Sequence, residues 1–379
     1  MSATNGSAVP SRSGRGLVAI FMALALLASA LFASSASAAK PVLKPTAYVA
    51  IGDSLGFGYT EEKFDLNLPT ENPSNFEGGY TNYVAGRLAK KEKGAGNALN
   101  LINLSCPGEN TEGTIGHNPL LGGGAGAEFN PCAYRESTGF PLHTPFAGAS
   151  QLEAAIGAVT GPVPVKLVTI NMGSNDELAM VAKCSEPSYR AAQGFVNLAE
   201  CLTVEAGPAG HQFAGGLFHH IIANVGDVIG VLRASGYTGP VGILGFYNPQ
   251  AKLLPGSDSL QKAFNEAFEC AAISTTAECN VEPKPKEHIK LKGKELLGPG
   301  VVYGNPFPKF NPANPTLEGE RICAFTEECN AFDKKVNLEA IVKHVVTVAE
   351  AAAYPVGDIH ATPLGYIRLG QSLAKALGI

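Results

Sequence analysis

Four short clusters in this 379-residue chain carry groups suited to nucleophilic and acid–base chemistry: Gly52-Asp53-Ser54-Leu55, Gly108, Gly173-Ser174-Asn175-Asp176 and Asp358-Ile359-His360. A serine hydroxyl attacks a carbonyl once a neighbouring base takes its proton, and imidazole is the commonest such base. Ser54 follows an apolar run at 47–51, and in a parallel α/β sheet the carboxyl ends of strands face the crevice where chemistry is done. A serine in that place equally suits a helix N-cap after a turn, so both readings stand. Gly108 reads as well as a turn glycine, Asn175 as an Asx-turn residue, and His360 as a capping or surface histidine. What sets the clusters apart is their order, Ser, Gly, Asn, His, with each at the end of a predicted element or just ahead of one.

Those elements are short. Apolar runs at 47–51, 99–104, 165–171 and 241–246 are rich in Val, Ile and Leu and bounded by Gly, Pro or polar residues, the pattern of buried strands. Helical patterns lie between and around them at 80–91, at 151–159, along the face formed by Leu217, Ile221, Val225, Val228 and Leu232, and at 260–272. Two more are predicted at 338–353 and 363–377. Strands alternating with helices imply a mainly parallel sheet covered on both faces. The stretch 109–149 holds Gly122-Gly123-Gly124 and several prolines, and 281–319 holds repeated prolines with Lys284, Lys286, Lys290, Lys292 and Lys294. Both read as long irregular loops. No linker interrupts 40–379, which reads as one domain.

Composition narrows the function classes. Hydrophobic residues make up 45% and charged residues 16%, enough for a packed core and too little charge for a disordered chain. Lys and Arg number 28 against 33 Asp and Glu, so no overall positive field exists to hold nucleic acid. Arg12 and Arg15 precede an apolar run at 17–32 and a small-residue stretch at 33–39, the pattern of a secretory signal over 1–39. A retained anchor is the competing reading, because the run approaches the ~18 residues a membrane span needs. No second apolar run of that length follows. Without the leader's two arginines the net charge of -5 becomes -7. In an exported chain the even set Cys106, Cys132, Cys184, Cys201, Cys270, Cys279, Cys323 and Cys329 favours disulfides, with sequential neighbours the expected pairs, each pinning an irregular loop. No C-x-x-C pair or neighbouring histidine set suggests zinc, the triple glycine lacks a following Gly-Lys-Ser/Thr, and Asp176 lacks a second carboxylate cluster, so no metal and no cofactor is expected.

Gly-Asp-Ser-Leu at 52–55, Ser-Cys-Pro-Gly-Glu-Asn-Thr at 105–111, Gly-Ser-Asn-Asp at 173–176, and His360 with Gly365-Tyr366 resemble the four blocks of the GDSL or SGNH hydrolase family. The blocks run from Gly52 to Tyr366, nearly the whole chain after the leader. Each is short and weak alone, and their order makes the signal. The resemblance implies a three-layer α/β/α sandwich with a mainly parallel, flavodoxin-like sheet, and ester or thioester hydrolysis through a serine. The cysteine-rich loops look most like those of secreted bacterial members.

On that resemblance Ser54 is the expected nucleophile and His360 its base. The other histidines are poor rivals: His219, His220 and His344 lie on predicted helices, and His117, His143, His211 and His288 in loops without a matching motif. Negative charge on the attacked carbonyl oxygen needs preorganised donors. The resemblance assigns them to the N–H groups of Ser54 and Gly108 and the side-chain amide of Asn175. In one place the chain departs from the family. The position three before the histidine is Gly357 instead of Asp, and the acid is Asp358, two before His360. Residues two apart in an extended segment point the same way, so Asp358 is an expected partner for the imidazole, with a backbone carbonyl near Gly357 the alternative. The expectation is an exported serine hydrolase cleaving carboxylic esters of a small molecule, lipid, acylglycerol or acetylated glycan through an acyl-enzyme. An envelope-associated binding module without catalysis and an acyltransferase are the competing functions.

Overall fold

The computed structural model describes residues 42–67, 72–116, 132, 141–146, 150–213, 215–249, 251, 257–273, 279–284, 287–291, 297–329 and 358–379, with backbone alone at 65, 273, 279–284 and 287–291. The leader and the helix expected at 338–353 lie outside these residues. From Leu43 to Ile379 the chain forms one unit. It begins with β1 (Lys44–Gly52), α1 (Ser54–Phe57), α2 (Glu61–Asn67), α3 (Tyr80–Gly94), β2 (Asn97–Asn103), α4 (Thr111–Ile115), α5 (Gln151–Val159) and β3 (Val165–Asn171). There follow α6 (Ser174–Ser185), α7 (Pro187–Gln193), α8 (Leu198–Ala206), α9 (Leu217–Ala234), β4 (Val241–Leu244) and α10 (Ser257–Ile273). The rest is β5 (Cys279–Lys284), β6 (Glu287–Leu291), β7 (Val301–Gly304), α11 (Phe307–Phe310), α12 (Pro315–Phe325) and α13 (Pro363–Leu377).

Five strands pair in the order β2-β1-β3-β4-β7, all parallel. β1 lies second in that order, and its residues from Thr46 onward are buried, as expected of a parallel strand covered on both faces. Side chains alternate along the strands and so sort into two layers. Val49 and Ile51 of β1, with Val168, Ile170 and Ile243, pack on Leu152 of α5, Ile221 and Val225 of α9, and Phe264 of α10. Tyr48 and Ala50, with Leu167 and Leu244, pack on Tyr80 and Val84 of α3 and on Tyr366, Leu369 and Leu373 of α13. The architecture is a three-layer α/β/α fold, as expected. Chain order reverses between β1 and β3, the switch point at which the carboxyl ends of an open α/β sheet leave a crevice.

The 281–319 stretch and the segment between Cys184 and Cys201, both expected to be irregular, are ordered differently. The 281–319 stretch supplies β7 to the main sheet, the helix α11, the start of α12, and most of an antiparallel hairpin, β5 with β6. A four-residue strand between Pro299 and Pro306 is too short to show a period, and only packing reveals it. Cys184 and Cys201 join α6 to α8, with Cα atoms 5.6 Å apart, instead of pinning an irregular loop. Cys106 pairs with Cys132 and Cys323 with Cys329, both as expected. Cys270 is disulfide-bonded, and the side chain of Cys279 lies outside the described residues. Among the described residues no helix is long and apolar enough to cross a membrane.

Candidate active site

Ser54 stands at the carboxyl end of β1, where the chain turns into α1. The turn is set by Asp53, whose N–H donates to Asn171 O at 3.2 Å and whose Oδ1 accepts the Leu55 N–H at 2.9 Å. Asp53 is therefore the N-cap, and Ser54, read alternatively as the cap, is the first residue of the helix. The Ser54 carbonyl accepts the N–H groups of Gly58 and Tyr59, both at 3.0 Å, which fixes the backbone beneath its half-buried side chain. Burial pushes the Asp53 carboxyl up to about 6, against the Leu55 N–H and the charge of His360, which both pull it down.

Gly56 on this turn has no room for a side chain. A Cβ on Gly56 would stand 2.2 Å from Ser105 Oγ and 2.9 Å from Ser105 Cβ, while the Gly56 carbonyl is held by Thr81 Oγ1 and Asn103 Nδ2, each at 3.0 Å. Gly56→Ala is expected to destabilise the protein by about 1–3 kcal/mol through overpacking, read as a lower midpoint in urea unfolding.

The second and third clusters meet beside it. Cys106 N–H donates to Gly52 O at 2.9 Å, which seats the 105–111 segment against the end of β1. Gly108 is exposed and has φ +79, a left-handed backbone that glycine adopts without cost. Asn175, in the first turn of α6, donates from Nδ2 to Glu109 O at 2.7 Å. An amide nitrogen carries two hydrogens, so this bond orients the group and leaves the second free to face a ligand. Neither the Ser54 nor the Gly108 N–H is engaged in a hydrogen bond among the described residues. Next to Asn175, Asp176 accepts both the N–H and the hydroxyl of Thr111, at 3.0 and 2.7 Å. Burial pushes Asp176 up to about 7, and it pushes Glu177, bonded by Gln261, up to about 8.

The fourth cluster is anchored on every side. Asp358 is 2% exposed, and its Oδ1 is hydrogen-bonded to His360 Nδ1 and accepts the His360 N–H. Its other oxygen accepts the Glu61 N–H at 2.9 Å, tying it to α2, seven residues past Ser54. The His360 ring meets Tyr59 edge-on with centroids 4.9 Å apart, and Tyr59 O is in turn held by Tyr366 OH of α13 at 2.6 Å. His360 O accepts the Glu327 N–H at 2.9 Å, and Ile359 O accepts Tyr247 OH at 2.6 Å. Burial pulls the imidazole down, but the charge and hydrogen bond of Asp358, then Glu61 and Asp53, outweigh it and raise the imidazole above its ordinary 6.5. Burial pulls Asp358 up, yet His360 and the Glu61 N–H hold it below its ordinary 3.8.

The structure thus gathers the second and third clusters through the Asn175–Glu109 bond, and joins the fourth to the segment that Ser54 opens. Asp358 reaches Nδ1 despite its spacing from His360. Sequence reasoning passed over Tyr59, Glu61 and Thr111. Thr111 closes the 105–111 block and was in view there, whereas Tyr59 and Glu61 carry no local signal, since their partners lie about three hundred positions away. Among the described residues a buried Cys106, Glu109, Cys132 triplet has metal-ligand spacing, but its two sulfurs are bonded to each other and offer no thiolate. Compared with known proteins, the chain matches no family model and no curated sequence.

Proposed function

We propose that the protein is an exported serine hydrolase of the GDSL or SGNH type that cleaves carboxylic esters. The observation that carries the reading is the buried Asp358–His360 hydrogen bond, anchored through Glu61 and Tyr59 to the segment that begins at Ser54. An aspartate on Nδ1 fixes the imidazole tautomer with Nε2 free to take a proton and stabilises the imidazolium that results. In the proposed cycle Ser54 Oγ attacks the ester carbonyl as its proton passes to His360 Nε2. The tetrahedral intermediate puts negative charge on the former carbonyl oxygen, which the Ser54 and Gly108 N–H groups and the second Asn175 hydrogen would receive. Collapse expels the alcohol, protonated by His360, and leaves an acyl-serine. Water then repeats the sequence and frees the acid.

The disulfides and the Arg-led apolar leader support export. A fluorophosphonate probe tests the chemistry directly, because only an activated serine is phosphonylated. The expected result is one label per chain, on Ser54, together with turnover of short p-nitrophenyl esters. Failure of the folded protein to label would leave a binding role on the same scaffold.

A further inference from the structure

Asp176 takes no part in the proposed cycle, yet it is 3% exposed and fully committed. Its two oxygens hold the N–H and the hydroxyl of Thr111. The hydroxyl donates to Asp176 because it also accepts the Asn224 amide of α9, Nδ2 to Oγ1 at 2.8 Å. That same amide stands 3.2 Å from His220 Nε2, which lies 3.5 Å from Glu112 Oε1 and 3.8 Å from Asp176 Oδ1. Successive residues of one turn of α6, Asn175 and Asp176, therefore grip Glu109, in the short loop that leads into α4, and Thr111, the first residue of α4 itself. Gly108 is the next residue back along that loop.

We propose that the Asp176–Thr111 pair, braced by Asn224, is a positioning clamp that sets the separation between the Gly108 N–H and the Asn175 amide. The inference rests on the hydrolase reading and extends it from the groups that face the oxyanion to the groups that space them. Glu109 is restrained on one side by its own N–H, which donates to Cys106 O at 3.3 Å, and on the other by Thr111, two residues on, so the place of each Asn175 amide hydrogen depends in part on Thr111. Releasing Thr111 frees the loop to shift both donors, and a misplacement of about 1 Å costs on the order of 10²-fold in rate. Because charge on the oxygen grows in the transition state, the loss belongs in kcat.

The test is steady-state hydrolysis of p-nitrophenyl acetate. Asp176→Asn keeps the shape but turns one acceptor into a donor facing Thr111, and is expected to lower kcat about 10²-fold with KM within about threefold. Thr111→Val keeps the backbone N–H but removes the hydroxyl, for an expected loss of about tenfold, and Thr111→Ser, which restores the hydroxyl, is expected to recover most of it. Circular dichroism checks folding, and the milder Thr111→Val decides the matter should Asp176→Asn not fold. Variants with wild-type kcat, a loss confined to KM, or a serine as impaired as the valine would overturn the clamp. Wild-type protein that neither turns over esters nor takes the fluorophosphonate label overturns the hydrolase reading and the clamp with it, whereas an active wild type with indifferent variants overturns the clamp alone.

Discussion

Ser54→Ala is expected to abolish ester turnover, with kcat falling at least about 10⁵-fold, since loss of the nucleophile in a serine hydrolase removes nearly all catalysis beyond binding and oxyanion contacts. The fold should persist. The capping bond that starts α1 belongs to Asp53, and the bonds from Gly58 and Tyr59 end on the Ser54 backbone carbonyl, so none of them uses the hydroxyl. Unchanged circular dichroism and an unchanged urea midpoint, with activity and fluorophosphonate labelling both gone, is the outcome that identifies the nucleophile. Residual turnover above a hundredth of wild type in that folded variant would place the chemistry elsewhere.

Asp358→Asn should come next in size. An amide in place of the carboxylate leaves the packing nearly unchanged but presents His360 Nδ1 with a group that favours the wrong tautomer, and the expected fall in kcat is about 10⁴-fold. The pH profile supplies a second readout. His360 works as a base only when neutral, so kcat/KM should rise as pH rises through the imidazole pKa, which Asp358, Glu61 and Asp53 together lift above 6.5. Removing the largest of those supports should move the midpoint of that acidic limb down. A loss under about tenfold with an unmoved limb would assign orientation of the ring to a backbone carbonyl instead.

Much of the fold can be read from residue order alone. β1 and β3 are runs of Val, Ile and other apolar residues buried on both faces, and such runs carry their own signal. β7 does not. It has four residues, sits between prolines and becomes a strand only because β4 offers it a parallel partner. The helices α6 to α8 carry a weak sequence signal because they are short, 12, 7 and 9 residues, and are set off from one another by Pro187 and by the cap Gly194; the Cys184–Cys201 disulfide ties the first to the third.

The candidate site divides in the same way. The residues that meet substrate in the proposed cycle, Ser54, Gly108, Asn175 and His360, stand at element ends, where short motifs expose them to a reader of the chain. Residue order alone leaves Ser54 as either a cap or a nucleophile candidate; in the fold the Asp53 side chain takes the cap of α1. Residue order likewise leaves the reach of Asp358 to Nδ1 undecided, because it depends on a carboxylate held by Glu61 and on backbone held by Glu327 and Tyr247, from three distant segments. Residue types and their order determined which groups are chemically able, the sheet class and the even cysteine set. Tertiary structure decided which of those groups meet, because hydrogen bonds between residues such as Glu61 and Asp358, 297 positions apart, form only when the whole sheet has brought its strand ends together.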